Sequence, residues 1–250
     1  MRRIVVAALL LTVCPGCPVF QSQEVPHDPA WRREPVTGRD YREYVPSDYT
    51  PEKQWPLVIT LHGTDVPAYD TSRKQIDAWK KLAEDKGFIV AAPELTSVQG
   101  VVPVIRSLWY DDLAEDEQAI LAVLDDLRRR YSIDDGRVML TGFSSGGFPL
   151  FYTGLRNPER FNCLASRSCN VDLSMLERVG VTDAARELPI LLIWGKDDFT
   201  KIRHQSWAAF EYLRRHGFDK TEADRFRGGH IRRPDLAYDF WKRQPARRGR

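Results

Sequence analysis

An α/β fold built on a mostly parallel central sheet, with helices on both faces, is what this sequence predicts. Three observations carry the prediction. Short continuous apolar runs such as "PLVITL", "RVML" and "PILLIW" read as strands buried on both sides, without polar alternation. Between them lie longer segments with apolar residues three and four positions apart, the spacing of an amphipathic helix. Runs and segments alternate, with short connections and no internal repeat, as successive βαβ units require.

Each element has its own reason. "YREYV" reads as an edge strand, and Leu57 to Leu61 as a central one ending in Gly63. "RKQIDAWKKLAEDKG" puts Ile76, Trp79, Leu82 and Ala83 on one helical face, with Gly87 as the stop. "FIVAAPE" is the next strand. Apolar residues at 120, 123, 124, 127 and 131 predict a helix over 115–131. "RVMLT" is a strand and "FPLFYTGLRNP" a helix, in which Pro149 is tolerable only within the first turn. "FNCLAS" and "PILLIWG" are strands; "HQSWAAFEYLRRHG" and "PDLAYDFWKR" are helices. The interval between those last two strands is too short for a large lid, so an open site is expected.

The chain of 250 residues suits one large domain, and 42 % hydrophobic with 29 % charged residues suits a water-exposed globular one. "MRR" followed by the apolar "IVVAALLLTV" reads as a signal peptide over residues 1–16, too short to span a bilayer. Gly16-Cys17 resembles a lipoprotein processing site, although Cys14 stands where such sites usually carry Leu; lipidation of Cys17 stays open. Export is expected, with any membrane attachment through Cys17 alone. Residues 17–38 are polar and Pro-rich and read as a flexible spacer. The catalytic unit spans 39–243, and 244–250 is a basic, solvated tail. Without Arg2 and Arg3, basic and acidic residues balance at 35 each, which argues against a nucleic-acid partner. Cys163 and Cys169 either pair through a bend or stay as buried thiols.

In such a sheet, chemistry gathers at the carboxyl ends of the strands. His62-Gly63-Thr64, Gly142-Phe143-Ser144-Ser145-Gly146, Gly195-Lys196-Asp197-Asp198 and Gly228-Gly229-His230 all fall there. G-x-S-x-G between strand and helix lifts a serine onto a sharp, strained turn above the sheet. Three fixed residues are a weak signal alone. Flanked by strand and helix, and followed by a carboxylate and an imidazole in the order Ser, Asp, His, they point to nucleophilic catalysis. His62 reads as an organiser of its loop. His204 and His216 lie at helix ends and His27 in the spacer, so none of these competes with His230.

"YREYVPSDYTPEKQWPLVITLHG", "WYDD", "YSIDDGRVMLTGFSSGG", "WGKDD" and "GGH" together resemble the α/β-hydrolase family over residues 38–243. The likeness is to secreted esterases of the polyhydroxybutyrate depolymerase and feruloyl esterase type. It implies Ser144 as nucleophile, Asp198 as acid with Asp197 as rival, and His230 as base. It also implies an oxyanion hole from the backbone N–H groups of Thr64 and Ser145, and neither metal nor cofactor. The insert 96–112 would bring Val101, Val102, Val104, Ile105, Trp109 and Tyr110 near the site, and Phe143 joins Trp109 and Tyr110 as a pocket candidate. Trp109 and Tyr110 read equally well as core under a loop. Asp111 and Asp112 read as helix-capping or locally paired. The expected partner is a small or polymer-derived ester, bound by a monomer. A peptidase with the same triad, or a silent envelope binding protein, remain the alternatives.

Overall fold

The computed structural model describes residues 28–64, 71–98 and 110–247. In chain order they form β1 (Ala30–Arg33), β2 (Asp40–Tyr44), β3 (Trp55–Leu61), α1 (Thr71–Lys86), β4 (Ile89–Pro93), α2 (Tyr110–Arg130) and β5 (Ile133–Phe143). A single turn of 3₁₀ helix, Ser144–Gly146, leads into α3 (Gly147–Arg156). Then follow β6 (Cys163–Arg167), α4 (Leu173–Val179), α5 (Asp183–Arg186), β7 (Ile190–Gly195), α6 (Thr200–Arg215), β8 (Thr221–Phe226) and α7 (Pro234–Trp241).

The strands make one eight-stranded sheet in the order β1-β2-β4-β3-β5-β6-β7-β8. β1 and β2 are antiparallel to their neighbours, and every pair from β4 to β8 is parallel. Alternate strand residues point to opposite layers. Leu57, Ile59, Leu61 and Leu140 pack with α2 to α6. Val58, Val90, Met139 and Cys163 pack with Ile76 and Trp79 of α1 and Phe240 and Trp241 of α7. Double coverage is why the central strands lack polar alternation.

Three local expectations change. Residues 30–33, read as spacer, pair with β2 as β1, so "YREYV" is the second strand and not the edge. The buried Glu34 then closes the β1–β2 turn by accepting the N–H groups of Val36, Thr37 and Arg39. The segment after α7 is tied down at Arg247, whose N–H donates to the Gly136 carbonyl at 2.8 Å. α2 starts earlier than its apolar period indicated, at Tyr110, which puts Asp111 and Asp112 inside its first turn and not ahead of it. Pro149 sits in the first turn of α3, where a missing N–H leaves no helical bond unmade. Cys163 and Cys169 are buried free thiols, one in each layer. The signal peptide, Cys17, the segment 99–109 and the last residues of the tail lie outside the described residues.

The sheet order turns back beside β3: the chain runs from β3 to β4 on one side, then to β5 on the other. In α/β sheets a crevice opens at the carboxyl end of such a switch point. β3 delivers His62 there and β5 delivers Ser144.

Candidate active site

β5 stays extended through Phe143, with φ −129° and ψ 136°. Ser144 then turns to φ 55°, a left-handed conformation that a non-glycine residue adopts only under constraint. The constraint is visible in the backbone. The Ser144 N–H donates to the Ser168 carbonyl at 3.1 Å, and its carbonyl accepts from the Asn170 N–H at 2.8 Å. The neighbouring glycines answer to close packing. A Cβ on Gly142 would lie 2.5 Å from the Gly146 carbonyl oxygen, and one on Gly146 only 2.4 Å from that of His62. Only bare backbone lets the turn pass under the end of β3.

The loop after β3 is locked from both sides. His62 is fully buried. Its Nε2 accepts the Leu95 N–H at 3.0 Å, so the ring proton sits on Nδ1 and is donated to the Gly63 carbonyl at 2.8 Å. This makes His62 a neutral strut between two loops; Glu94 Oε2, 3.7 Å from Nε2, faces no charge there. Thr64, at the end of the strut, places Oγ1 2.8 Å from Ser145 Oγ, so the two oxyanion-hole candidates are bridged by their side chains.

β7 ends at Gly195, where a Cβ would lie 2.2 Å from the Gly228 carbonyl oxygen. Two loops therefore run in contact. The Lys196 N–H donates to Phe226 and the Asp197 N–H to Gly228, at 2.9 and 3.0 Å. Asp197 points outward, whereas the Asp198 side chain is wholly buried. Asp198 Oδ1 accepts the Phe199 N–H at 2.7 Å and lies 2.9 Å from His230 Nδ1. Of the two carboxylates, it is Asp198 that the imidazole meets. With Nδ1 held there, Nε2 is the free nitrogen.

The structure joins Asp198 to His230, and Thr64 to Ser145, by hydrogen bonds. Among the described residues no hydrogen bond joins Ser144 Oγ to His230. The imidazole reaches the serine's turn through Phe143, whose ring centroid is 4.6 Å from its own. Phe199, 65 % exposed, covers it at 5.0 Å. Phe143 is buried, so it is a support under the imidazole more than an open pocket wall. Trp109 lies outside the described residues, and of Tyr110 only the backbone, as the first residue of α2, is described. Between β6 and β7 only the short helices α4 and α5 intervene, so that interval inserts no large lid.

Two contributors escaped the sequence reading. The polar run "SRSCN" after the apolar start of β6 holds the serine's turn. Asp116, fully buried, accepts the N–H groups of Thr96 and Ser97 at 2.9 and 3.0 Å and anchors the start of the insert after β4. The run of hydroxyls and small polar residues straight after a strand was the available signal for the first. Asp116 carried none, since one acid in a charged helix looks solvated.

A family model described as Phospholipase/Carboxylesterase matches residues 50–234. The chain belongs to that family. Separately, the chain is similar to parts of longer curated relatives. It is 30 % identical over 198 residues to a bifunctional acetylxylan esterase/xylanase of Neocallimastix patriciarum, covering 78 % of this chain and 25 % of that protein. It is 25 % identical to a poly(3-hydroxyalkanoate) depolymerase of Paucimonas lemoignei, covering 66 % of this chain and 46 % of the other. The chain thus spans less than half the length of these relatives. Among solved structures, the ferulic acid esterase of Anaeromyces mucronatus superposes with a TM-score of 0.65 at 17 % identity, over 91 % of this chain and 96 % of that one. At such identity the likeness shows a shared fold, and that fold is the α/β-hydrolase sheet described above.

Proposed function

We propose that this member of the phospholipase/carboxylesterase family is a serine hydrolase of carboxylic esters, exported from the cytoplasm, that works through an acyl-enzyme. His230 Nε2 takes the proton of Ser144 Oγ as the oxygen attacks the ester carbonyl. A new C–O bond forms, and the carbonyl π electrons move onto its oxygen. The amides of Thr64 and Ser145 receive that oxyanion, each contributing about 3 kcal/mol in a preorganised site. Asp198 keeps the Nδ1 tautomer and stabilises the imidazolium. The tetrahedral centre then collapses, the ester C–O bond breaks, and His230 returns the proton to the departing alkoxide. Water repeats the cycle on the acyl-Ser144 ester and releases the acid.

One observation carries the reading: His230 Nδ1 is 2.9 Å from a fully buried Asp198 carboxylate, on the strand edge where Ser144 is held at φ 55°. The ester class is supported by the family match and by relatives named for acetylxylan and poly(3-hydroxyalkanoate) cleavage. Export rests on the basic and apolar start of the sequence. A peptidase reading draws on 22 % identity to a dipeptidyl-peptidase 5 of Porphyromonas gingivalis. A fluorophosphonate probe tests the nucleophile: it should label wild type at Ser144 and leave Ser144→Ala unlabelled. Hydrolysis of p-nitrophenyl acetate with inert aminoacyl anilides is the expected pattern. An unlabelled folded protein overturns the proposal, and faster anilide cleavage moves it to the peptidase.

A further inference from the structure

Arg167, the last residue of β6, is fully buried. A guanidinium in that position ordinarily faces a carboxylate, because an unpaired charge away from water is costly. Here every partner among the described residues is a neutral oxygen. Nε donates to Thr141 Oγ1 at 2.9 Å. Nη2 donates to Thr60 Oγ1 at 2.8 Å and to Gln75 Oε1 at 3.2 Å. Nη1 donates to the Arg232 carbonyl at 3.1 Å. The Trp79 ring faces the guanidinium with its centroid 5.3 Å away. Burial pushes the group down to about 9, so it still carries its proton at neutral pH.

The partners are not scattered. Thr60 stands two residues before His62, on the strand that carries the oxyanion loop. Thr141 stands three residues before Ser144. Arg232 stands two residues after His230, and Gln75 belongs to the helix that follows the oxyanion loop. The residue after Arg167 is Ser168, whose carbonyl clamps the Ser144 N–H. One rigid five-donor fork therefore spans the segments that carry the nucleophile, the oxyanion donor and the base. A methionine or leucine would fill the space without the cost of burying charge. Bonds to four otherwise separate chain segments are what an apolar residue there cannot make.

We infer that Arg167 is a positioning residue of the active site: by tying the His230 loop to β3 and β5, it sets the approach of the imidazole to Ser144. Its side chain is fully buried, out of reach of a molecule bound at the surface, so it acts on turnover and leaves substrate binding alone. This rests on the assignment of Ser144 and His230 above. Displacing a reacting group by about 1 Å costs on the order of 100-fold in rate.

The experiment measures kcat and KM on p-nitrophenyl acetate for Arg167→Met and Arg167→Lys, with each preparation titrated for active serine by the fluorophosphonate probe. Arg167→Met should lose about 100-fold in kcat per titrated serine with KM within about twofold. Arg167→Lys keeps the charge but loses the fork, and should recover part of the loss, to about tenfold below wild type. A purely structural role would lower melting temperature and the titratable fraction and leave kcat per serine unchanged; that result overturns the inference. If Arg167→Met does not fold, Thr141→Val removes a single acceptor. It should lower kcat several-fold, and an unchanged kcat again overturns the inference. Wild type that takes no label defeats the ester-hydrolase reading itself, whereas labelled wild type with unaffected variants defeats only the role of Arg167.

Discussion

Thr64 Oγ1 and Ser145 Oγ lie 2.8 Å apart, although their residues stand on loops that follow different strands. The contact links the two residues whose amides are proposed for the oxyanion hole without using either amide. A hole assembled from two loops is only as rigid as the contact between them. Thr64→Val removes the bridge and keeps the backbone donor. We expect kcat on p-nitrophenyl acetate to fall about tenfold, less than the 10²–10³ typical of deleting a donor outright. A loss above about 100-fold would mean that the loop itself had moved.

The two adjacent acids behave differently. Asp198→Asn should lower kcat about 10⁴-fold, because an amide in that position favours the wrong imidazole tautomer. Asp197→Asn should stay within about twofold of wild type, since Asp197 is exposed and its part in the loop contact is a main-chain bond to Gly228. Steady-state kinetics on the two variants, made in parallel, checks the pair.

Gly146→Ala probes the packing of the serine's turn. The added methyl would stand 2.4 Å from the His62 carbonyl oxygen and 2.8 Å from that of Leu61, both backbone atoms with little room to retreat. Overpacking of this kind costs about 3 kcal/mol or more, and the turn carrying Ser144 must shift to relieve it. Denaturant unfolding should report that loss, and the fluorophosphonate labelling rate should drop with it.

Glu34 gives a pH signature. Burial favours its protonated form, but hydrogen bonds from Thr37, Arg39 and Val36 outweigh that and hold the carboxyl below the usual carboxylate range. A folded value depressed below the unfolded one stabilises the protein at neutral pH. That contribution fades as pH falls from the ordinary carboxylate range through the lower folded value. Glu34→Gln should therefore be destabilised by about 2 kcal/mol at pH 7 and lose most of that deficit in acid. Melting curves of both proteins across the acidic range provide the check.

Much of the site was legible in the residues because turns and strand ends are locally coded. "GFSSGG" after an apolar run specifies a tight turn from the backbone needs of its glycines. The order of Ser144, Asp198 and His230 along the chain places all three on one sheet edge once the strands are parallel. β1 was not legible. Ala30–Arg33 has no apolar periodicity and becomes a strand only because β2 offers it a free edge. Asp198 was favoured over Asp197 through the family resemblance alone, not through local residue chemistry. Both carboxylates are one residue apart, and the contact between the Gly195 and Gly228 loops decides which one turns inward.

By itself the sequence determined the class of fold, the parallel order of buried strands, and which side chains stand at their carboxyl ends. Apolar periodicity and turn chemistry act over a few residues and need no distant partner. The tertiary structure alone decided how those ends meet: His62 as a neutral strut, Asp198 on the imidazole, and the Arg167 guanidinium shared by Thr60, Thr141 and the Arg232 carbonyl. Such bonds join residues from 26 to 107 positions apart. Their partners are set by where strands sit in the sheet, and nothing in the neighbouring residues specifies them.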